Sequence, residues 1–467
     1  MSIEYIHTMS TDTSQLLPNS VAVSSDCLFN LKPSSVRART MRCSIPTSNK
    51  ATFNPGDLAI FYIPGGRRNT YLDPTQTYIR YTVRNTDTTV SANNFIEFDG
   101  SGASVINRLD VFHASNLLET VQQYNVLYNY LLDFQYNVAE KTGLANCYGT
   151  TNSNSFTYAR TGLPIGSVAT GNSQYTVCMP VLSSVFGLTA DKFLPIGMLN
   201  DDIRIELSWE AQNQGMVYGS ATTAAWTVIQ AELVCTIIEL SDEGEQMVRS
   251  ATPPEAPIYL HGSSFRHYVS SLNSSTSGVY STLVPSRFAS LKTLILCPRR
   301  STEINDSKSY SISSRINPNI SWYWWRVGGA IIPQKYVVLE NANTTGSFSE
   351  GFIEIMRSFH SLDSSINASS LPQPYYNVTD KATDATQLTT GITTGINSFQ
   401  NAFALATEME SFAQRSDLLL SGANTLSSQV FFECQINTAT VSQYTLDFYA
   451  QYDVIYVLEN GILSARF

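Results

Sequence analysis

One aromatic segment limits the possible folds more than any other part of this sequence. Residues 320–336 hold three of the five tryptophans. At the two-residue period of a β-strand, both faces of the segment are large and apolar: Ile320, Trp322 and Trp324 on one, and Tyr323, Trp325 and Val327 on the other. A strand in a sheet with one wet face alternates apolar and polar residues, so this pattern predicts a strand that is covered on both sides.

The residues that follow predict a turn and a helix. Gly328-Gly329 turns the chain, and Pro333 is expected to end the next short apolar run. Ser347 and Glu350 have the Ser-x-x-Glu spacing of a capping box. The box opens an amphipathic helix whose apolar residues are Phe352, Ile355, Met356 and Phe359. A strand, a turn and a helix make a structural unit and not a catalytic site.

An earlier segment has the same order of parts. Residues 108–113 predict a strand and residues 114–116 a turn. Residues 119–137 predict a helix with one buried stripe, because apolar residues recur at spacings of three and four: Val121, Tyr124, Leu127, Tyr128, Leu131 and Leu132. Two such units among many short strands indicate two similar domains in tandem.

Short strands separated by turn residues predict an all-β protein built from sandwiches. Clear alternation occurs at 77–84, 203–209 and 446–453. Further strands are expected at 57–63, 94–98, 174–182, 226–240, 288–297 and 429–436. Residues 399–412 fit a helix or a strand, and their Ser/Thr/Gly-rich flanks favour a strand.

The chain divides almost in half at a charged segment that runs into three prolines. The predicted parts are an N-terminal arm at 1–30, a first domain at 31–240, a connector at 241–257 and a second domain at 258–467. Two long polar loops, 143–173 and 360–398, are expected to carry partner contacts.

Composition narrows the classes of function. The chain is 43% hydrophobic but only 14% charged, against about 25% in ordinary globular proteins. Such a surface favours extensive burial against partners, with a Ser/Thr-rich β-protein as the alternative. The net charge of −10 argues against wrapping nucleic acid. Short arginine clusters are expected to be solvated or to contact other subunits: Arg37, Arg39 and Arg42; Arg67 and Arg68; Arg299 and Arg300.

Targeting, redox and modification signals are weak. The N-terminal residues lack a signal-peptide pattern, and no run approaches the ~18–20 apolar residues of a membrane-spanning helix. Buried free thiols of a reducing compartment are expected for the seven cysteines, at 27, 43, 147, 178, 235, 297 and 434. Glycosylation is not expected at the six sequons, which begin at Asn273, Asn305, Asn319, Asn343, Asn367 and Asn377.

Residues able to do chemistry form no recognisable motif. The histidines, none in a zinc-binding spacing, are His7, His113, His261, His267 and His360. We expect His113 and His360 to cap or pack, and Asp201-Asp202 to enter a turn instead of binding calcium. Four acids are conceivable glycosidase carboxylates: Asp110, Glu119, Glu408 and Glu410. The sequence predicts no catalytic residue, no metal site and no cofactor.

The order of parts resembles a known family. The segments that carry the resemblance are 106–113 with 116–119, then 321–333, then 452–467. They are similar to double jelly-roll major capsid proteins, in particular those of polinton-like viruses and related small eukaryotic double-stranded DNA viruses. The resemblance spans most of residues 30–467, and no motif in it is diagnostic alone.

This resemblance implies two eight-stranded jelly rolls per chain and a homotrimeric, pseudo-hexagonal capsomer. The implied partners are neighbouring capsomers and penton and minor capsid proteins, with no sequence-specific contact to nucleic acid and no cofactor. The implied location is the virion, after synthesis in the host cytoplasm or nucleus. Whether a membrane lies beneath the shell is left open.

Two other classes of protein are conceivable. A carbohydrate-binding or carbohydrate-active β-sandwich would stack sugars on Trp322, Trp324 and Trp325. We expect all three instead to be buried against the helix near 349–359 and the facing sheet, since they alternate on opposite faces. A tail fibre or spike would show repeats or glycine-rich shafts, and the sequence has neither.

Overall fold

The computed structural model describes residues 35–88, 94–135, 147–149, 165–219, 226–251, 256–339, 348–360, 376, 401–411, 420–437, 439–440 and 442–467. The predicted arm and most of the two predicted long loops lie outside these residues. The rest is largely antiparallel β-sheet, in agreement with the alternating patterns.

Twelve strands of the described chain lie between residues 38 and 240. They are β1 (Ala38–Pro46), β2 (Thr52–Phe53), β3 (Leu58–Ile63), β4 (Thr70–Asn85), β5 (Phe95–Phe98), β6 (Ile106–His113), β7 (Asn116–Gln122), β8 (Ile165–Gly166), β9 (Gln174–Pro180), β10 (Ile203–Trp209), β11 (Met216–Tyr218) and β12 (Trp226–Leu240). The two main sheets have the orders β1-β12-β4-β9, with β2 beside β12, and β3-β10-β6-β7. A small sheet has the order β11-β5-β8.

Nine further described strands lie between residues 258 and 466. They are β13 (Ile258–Leu272), β14 (Gly278–Val284), β15 (Leu291–Arg300), β16 (Ile320–Val327), β17 (Ala330–Val338), β18 (Leu405–Glu408), β19 (Val430–Ile436), β20 (Tyr444–Glu459) and β21 (Ile462–Arg466). Their sheets have the orders β13-β20-β15-β18, with β21 beside β20, and β14-β19-β16-β17.

The two sets of strands follow one topology. Replacing β1, β3, β4, β6, β7, β9, β10 and β12 by β13, β14, β15, β16, β17, β18, β19 and β20 converts the first pair of sheet orders into the second. Each set has eight strands in two four-stranded sheets, which is the jelly-roll arrangement. The prediction of two tandem eight-stranded jelly rolls is therefore confirmed. We call the two units roll 1 and roll 2.

The strand predictions held because core-facing residues alternate strictly. In β10, which matches the predicted range, Ile203, Ile205, Leu207 and Trp209 are all buried. The ambiguous segment near residue 405 is a strand, β18, at the edge of its sheet.

Three α-helices lie in the described residues: α1 (Tyr124–Gln135), α2 (Asp242–Ala251) and α3 (Ser349–Ser358). The prediction of one helix over 119–137 was wrong at its start. Residues 116–122 form β7, which pairs with β6 so that Val121 lies opposite Leu109. Val121 continues the helical spacing of α1 by chance, although it belongs to a strand. Pairing with β6 determines its structure more strongly than that spacing does.

Two local predictions around β17 and α3 were also wrong. Pro333 does not end its run, because β17 continues to Val338. The strand lies at the edge of its sheet, where a missing N–H need not cost a ladder hydrogen bond. Glu350 does not close a capping box: its Oε2 accepts from the Val338 N–H at 2.7 Å. Ser347 lies outside the described residues.

Helix α2 lies within the predicted connector. Ser241 Oγ accepts from the Gly244 N–H at 3.2 Å, the hydrogen bond expected of an N-cap. Asp242, Glu243 and Glu245 stand in the first turn, where carboxylates favour the positive end of the helix dipole. Part of the segment therefore forms a helix of 10 residues.

The helices α1 and α3 join the cores of the two rolls. The rings of Tyr130 and Phe359 lie 5.7 Å apart, and those of Phe134 and Phe352 lie 6.0 Å apart. Buried residues of both rolls belong to one continuous apolar cluster. This contact fixes the position of roll 1 relative to roll 2.

Candidate assembly surfaces

The two rolls meet through unlike sides. Roll 1 contributes β7 and the loop between β9 and β10, whereas roll 2 contributes β13, β20 and β21. A backbone bridge links Ala190 of that loop to Gly262 of β13. We call this contact the junction.

A buried carboxylate occupies the centre of the junction. Glu119 of β7 accepts from Ser183 Oγ at 2.5 Å, from Ser184 Oγ at 2.7 Å and from Ser264 Oγ of roll 2 at 2.6 Å. The Ser184 N–H adds a fourth donor at 3.1 Å. Burial raises the pKa of the Glu119 carboxyl, and the surrounding donors oppose that rise.

A second pair of acids in roll 1 meets a loop of roll 2. Asp99 accepts from the backbone N–H groups of Ser311 and Ile312, each at 2.7 Å, and of Ser313 at 3.0 Å. Glu97 accepts from the Tyr310 hydroxyl. Burial raises the pKa of Glu97 to about 7, with a further contribution from Asp99.

Charged pairs complete the junction. Arg315 and Asp133, from different rolls, are both buried and form an ion pair at 2.5 Å. Arg299 Nε lies 2.6 Å from Asp447 Oδ2, and Arg299 Nη2 donates to Gln123 Oε1 of roll 1 at 3.4 Å. Burial alone would raise the pKa of Asp447, but Arg299 and the hydrogen bond from His267 at 2.8 Å hold it below its usual value.

The junction uses only one of two equivalent contacts. The counterpart of β7 in roll 2 is β17, and the counterparts of β13 and β20 in roll 1 are β1 and β12. These counterparts leave residues exposed. Ile331 and Tyr336 of β17 are 36% and 40% exposed, and Arg39 and Arg42 of β1 are exposed as well.

An aromatic group lies on the outer face of the sheet that contains β17. The ring of Trp322 lies 5.1 Å from Trp324 and 5.3 Å from Tyr336. Trp324 Nε1 donates to Glu433 Oε2 at 2.8 Å. Arg326 pairs with the same carboxylate at 2.9 Å and lies 4.4 Å above the Phe431 ring.

This outer face carries further exposed apolar residues on β14. Val279 is 69% exposed and Leu283 is 47% exposed. We call the following set the aromatic face: Val279, Leu283, Trp322, Trp324, Ile331, Tyr336 and Phe431. A contiguous exposed apolar patch of this kind is typical of an interaction site, whereas single exposed apolar residues are common on any protein surface.

The prediction that all three tryptophans are buried was wrong for two of them. Only Trp325 is fully buried, against Phe432 and Phe448 at ring distances of 5.0 and 5.8 Å. Trp322 and Trp324 are half-buried because alternation directs them to the outer face, which the described residues leave partly exposed. Both faces of the strand are apolar, as the pattern indicated, but the expected cover on both sides is not found among the described residues.

The conceivable glycosidase acids do not form one pair. Asp110 accepts from Thr120 and pairs with Arg108 at 2.8 Å, whereas Glu119 is buried in the junction. Glu408 and Glu410 do lie together, beside His360.

The other candidates have structural contacts. Asp202 Oδ1 accepts from the Gly65 N–H at 2.9 Å, and Asp201 Oδ1 accepts from the Asp202 N–H at 2.8 Å, which is the geometry of a turn. His113 Nδ1 accepts from the Leu463 N–H of roll 2 at 3.0 Å. His7 lies outside the described residues.

The expectation that Arg299 is solvated or contacts another subunit was wrong, because the residue is 3% exposed inside the junction. A pattern of neighbouring arginines cannot reveal a buried acid that is distant in sequence. Arg67 and Arg68 do pair at the surface, with Glu239 at 3.2 Å and Asp242 at 3.6 Å.

The cysteines and sequons are only partly as expected. Cys235, Cys297 and Cys434 are buried free thiols, and burial raises the pKa of Cys235 and Cys297 to about 12. Cys147 is exposed, which contradicts the expectation for that residue. Asn319 is 4% exposed, so its sequon is inaccessible in the folded chain. No helix in the described parts of the chain is long and apolar enough to cross a membrane.

Comparison with known proteins gives matches to solved structures only. No protein-family model and no curated protein matches the sequence. The PBCV-1 protein VP54, fitted into a cryo-EM reconstruction of the virophage Sputnik, matches with a TM-score of 0.61 and 9% identity over 94% of this chain and 98% of that one.

Two further structures agree over a similar length. The cryo-EM structure of the Sputnik virophage matches with a TM-score of 0.54 and 11% identity, covering 96% of this chain and 93% of that one. The Faustovirus major capsid protein matches with a TM-score of 0.53 and 9% identity, covering 96% of both chains. The described parts of the chain therefore have the double jelly-roll fold.

Proposed function

We propose that this chain is a structural major capsid protein. Three copies form a homotrimeric, pseudo-hexagonal capsomer in the shell of an icosahedral DNA virus. The observation that carries the proposal is the junction. It joins two rolls of one topology through unlike sides and leaves residues exposed on the equivalent unlike sides, β17 of roll 2 and β1 of roll 1.

A contact between unlike surfaces is heterologous and can repeat from one unit to the next. The side of roll 2 that contains β17 could bind β1 and β12 of a second copy. That contact between two chains would have the same geometry as the junction within one chain. Repetition closes into a ring when each roll turns by about one sixth of a circle. Such a ring holds six rolls, which is three chains.

The aromatic face supports this arrangement. Exposed Ile331 and Tyr336 of β17 would be covered by the neighbouring copy, together with part of the Trp322 and Trp324 rings. Arg42 on the receiving strand is exposed and donates to the Tyr78 hydroxyl at 2.8 Å. Aromatic residues and arginine are the types most enriched in protein interfaces.

The solved structures with the same fold support the same function. One is named a major capsid protein and another is the structure of a virophage. The proposal gives this chain a place in the virion, no enzymatic role, and contacts with neighbouring capsomers and with penton and minor capsid proteins. Synthesis in the host cytoplasm or nucleus belongs to it as well. We also infer the unit boundaries 31–240 and 258–467, joined by the connector 241–257.

Light scattering on the purified full chain tests the proposal. We expect three times the chain mass of 51.6 kDa. The double variant Ile331→Lys with Tyr336→Lys should be a folded monomer, because the contact would bury two ammonium groups against an apolar surface and beside the exposed arginines of β1. Ile462→Lys is the matched control, because Ile462 is also exposed (47%) but lies on β21, in the other sheet of roll 2 from β17.

A monomer of the unmodified chain at micromolar concentration would refute the capsomer. A trimer of the double variant would refute only the placement of the interface on β17.

The exposure of Trp322 and Trp324 favours one rival, a carbohydrate-binding protein that stacks sugars on these rings. In that case the unmodified chain would bind a glycan array as a monomer, and Trp324→Ala would abolish binding while the fold persists. Trimers without glycan binding would exclude the rival.

A further inference from the structure

Three potential metal ligands that are distant in sequence meet on roll 2. His360 follows α3, Glu408 ends β18, and Glu410 lies two residues beyond. One ligand atom from each lies within 4.8 Å of the other two. His360 Nδ1 is 3.3 Å from Glu408 Oε1, and His360 Nε2 is 3.2 Å from Glu410 Oε2.

Both carboxylates are buried, and one oxygen among them is unsatisfied. The side chains of Glu408 and Glu410 are 6% and 3% exposed. Glu408 Oε1 is buried, accepts no hydrogen bond, and is the atom that faces the imidazole ring. A buried carboxylate oxygen without a donor is costly unless an ion or another donor reaches it.

The neighbouring charges leave the cluster negative. Lys292 Nζ lies 2.8 Å from Glu410 Oε1 and 3.5 Å from Asp453 Oδ1, so one ammonium serves two acids. Arg357 lies 3.4 Å from Glu408 Oε2, but its side chain is 52% exposed, and exposed pairs contribute little. With Arg357 counted, three carboxylates still face only two cationic groups. The cluster therefore has a net negative charge that a bound cation would offset.

We propose that His360, Glu408 and Glu410 bind a divalent transition-metal ion, for which Zn²⁺ is the best match. One imidazole nitrogen and two carboxylate oxygens supply three protein ligands, and water takes the fourth position. Neighbouring ligands in a tetrahedral zinc site lie about 3.4 Å apart, close to the 3.3 Å between His360 Nδ1 and Glu408 Oε1. Glu410 Oε2 faces the other ring nitrogen at 3.2 Å and would have to turn toward the ion when it binds. Calcium and magnesium prefer six or more oxygen ligands, so an imidazole disfavours them.

The position of the cluster gives the ion a structural role. It links the end of α3 to the edge strand β18. An ion bound there would hold the helix on the sheet and stabilise only the folded chain. Roll 2 would then unfold at a higher temperature with the ion than without it.

Titration of the full chain with Zn²⁺ after treatment with a chelator tests this proposal. We expect titration calorimetry to show one Zn²⁺ ion bound per chain, and no binding to the His360→Ala variant. The melting temperature of the unmodified chain should rise with the concentration of Zn²⁺. Glu408→Gln should weaken binding by about 100-fold or more, since even the outer partners of metal ligands are worth roughly 10–100-fold. Co²⁺ in place of Zn²⁺ should give the visible absorption of a four-coordinate ion.

His261→Ala is the matched control. The His261 side chain is similarly exposed (26% against 30%) and lies 3.2 Å from a carboxylate, but only one. It should bind Zn²⁺ as the unmodified chain does. The proposal is overturned if the chain binds no Zn²⁺, or if His360→Ala and Glu408→Gln bind it unchanged. It is equally overturned if the melting temperature depends on His360 but not on Zn²⁺, since a proton would then satisfy the two carboxylates.

Discussion

Buried polar residues hold roll 1 and roll 2 together, and each finds its partner across the junction. Glu119 is satisfied by serines of both rolls, and Asp99 by three backbone N–H groups of roll 2. A sequence pattern treats such residues as surface, because charged side chains are rarely buried without a partner. Their partners lie between 64 and 214 residues away along the chain, so no local signal marks them. For the same reason the spacing could not reveal that His360 meets Glu408 and Glu410.

Glu97 makes the stability of the junction depend on pH. Its pKa rises from 4.5 to about 7 through burial, so the folded chain holds a proton that the unfolded chain releases. That contribution is fully present below pH 4.5 and is lost as the pH rises through about 7. Between pH 5 and pH 8, chemical denaturation should show a loss on the order of 2–3 kcal/mol from this group, at 1.36 kcal/mol per pKa unit.

Glu97→Gln should remove that share of the pH dependence, because an amide keeps the contact with Tyr310 but does not titrate. Glu459→Gln is the control, since Glu459 is exposed at the end of β20. Equal slopes for Glu97→Gln and the unmodified chain would show that Glu97 does not titrate in this range.

At the scale of single elements, strands with strict alternation were predictable and polar strands were not. Residues 203–209 and 226–240 were located to the residue. By contrast, β13 and β14 are rich in serine, tyrosine and histidine, and much of their outward surface is exposed. Sheet pairing, not their own composition, makes them strands. The same dependence on a partner strand explains why β7 was mistaken for the start of α1.

The two faces of β16 predict opposite effects for neighbouring tryptophans. Trp325→Ala should cost ~3–5 kcal/mol, because it opens a cavity between Phe432 and Phe448. Trp324→Ala should cost about 1 kcal/mol, because its ring is half-buried and only one hydrogen bond, to Glu433, is lost. Denaturant unfolding of both variants measures the difference. Equal costs would place both rings in the core.

At the scale of the molecule, the repetition of a strand, a turn and a helix was enough to predict two similar units. It could not predict how the units meet, because that depends on residues that only the folded chain brings together. The helices that signalled the repeat are also the ones that join the rolls, through Tyr130 with Phe359 and Phe134 with Phe352. The arm at 1–30 lies outside the described residues and remains a prediction.

The arm is expected to act between capsomers and not within one. Thr8 to Ser25 contains too few apolar residues to form a core of its own, and segments of this kind become ordered on a partner surface. The proposed trimer contact begins at β1, whose first residue is Ala38, so residues 1–25 supply none of the strands that form it. A chain that begins at Asp26 should therefore still form trimers by light scattering but assemble few shells by electron microscopy.

Replacing residues 1–25 by a Gly/Ser segment of equal length should have the same effect, because such a segment supplies length without recognition. Shells formed equally well without the arm would remove this role, and loss of the trimer would move the contact between chains to the arm itself.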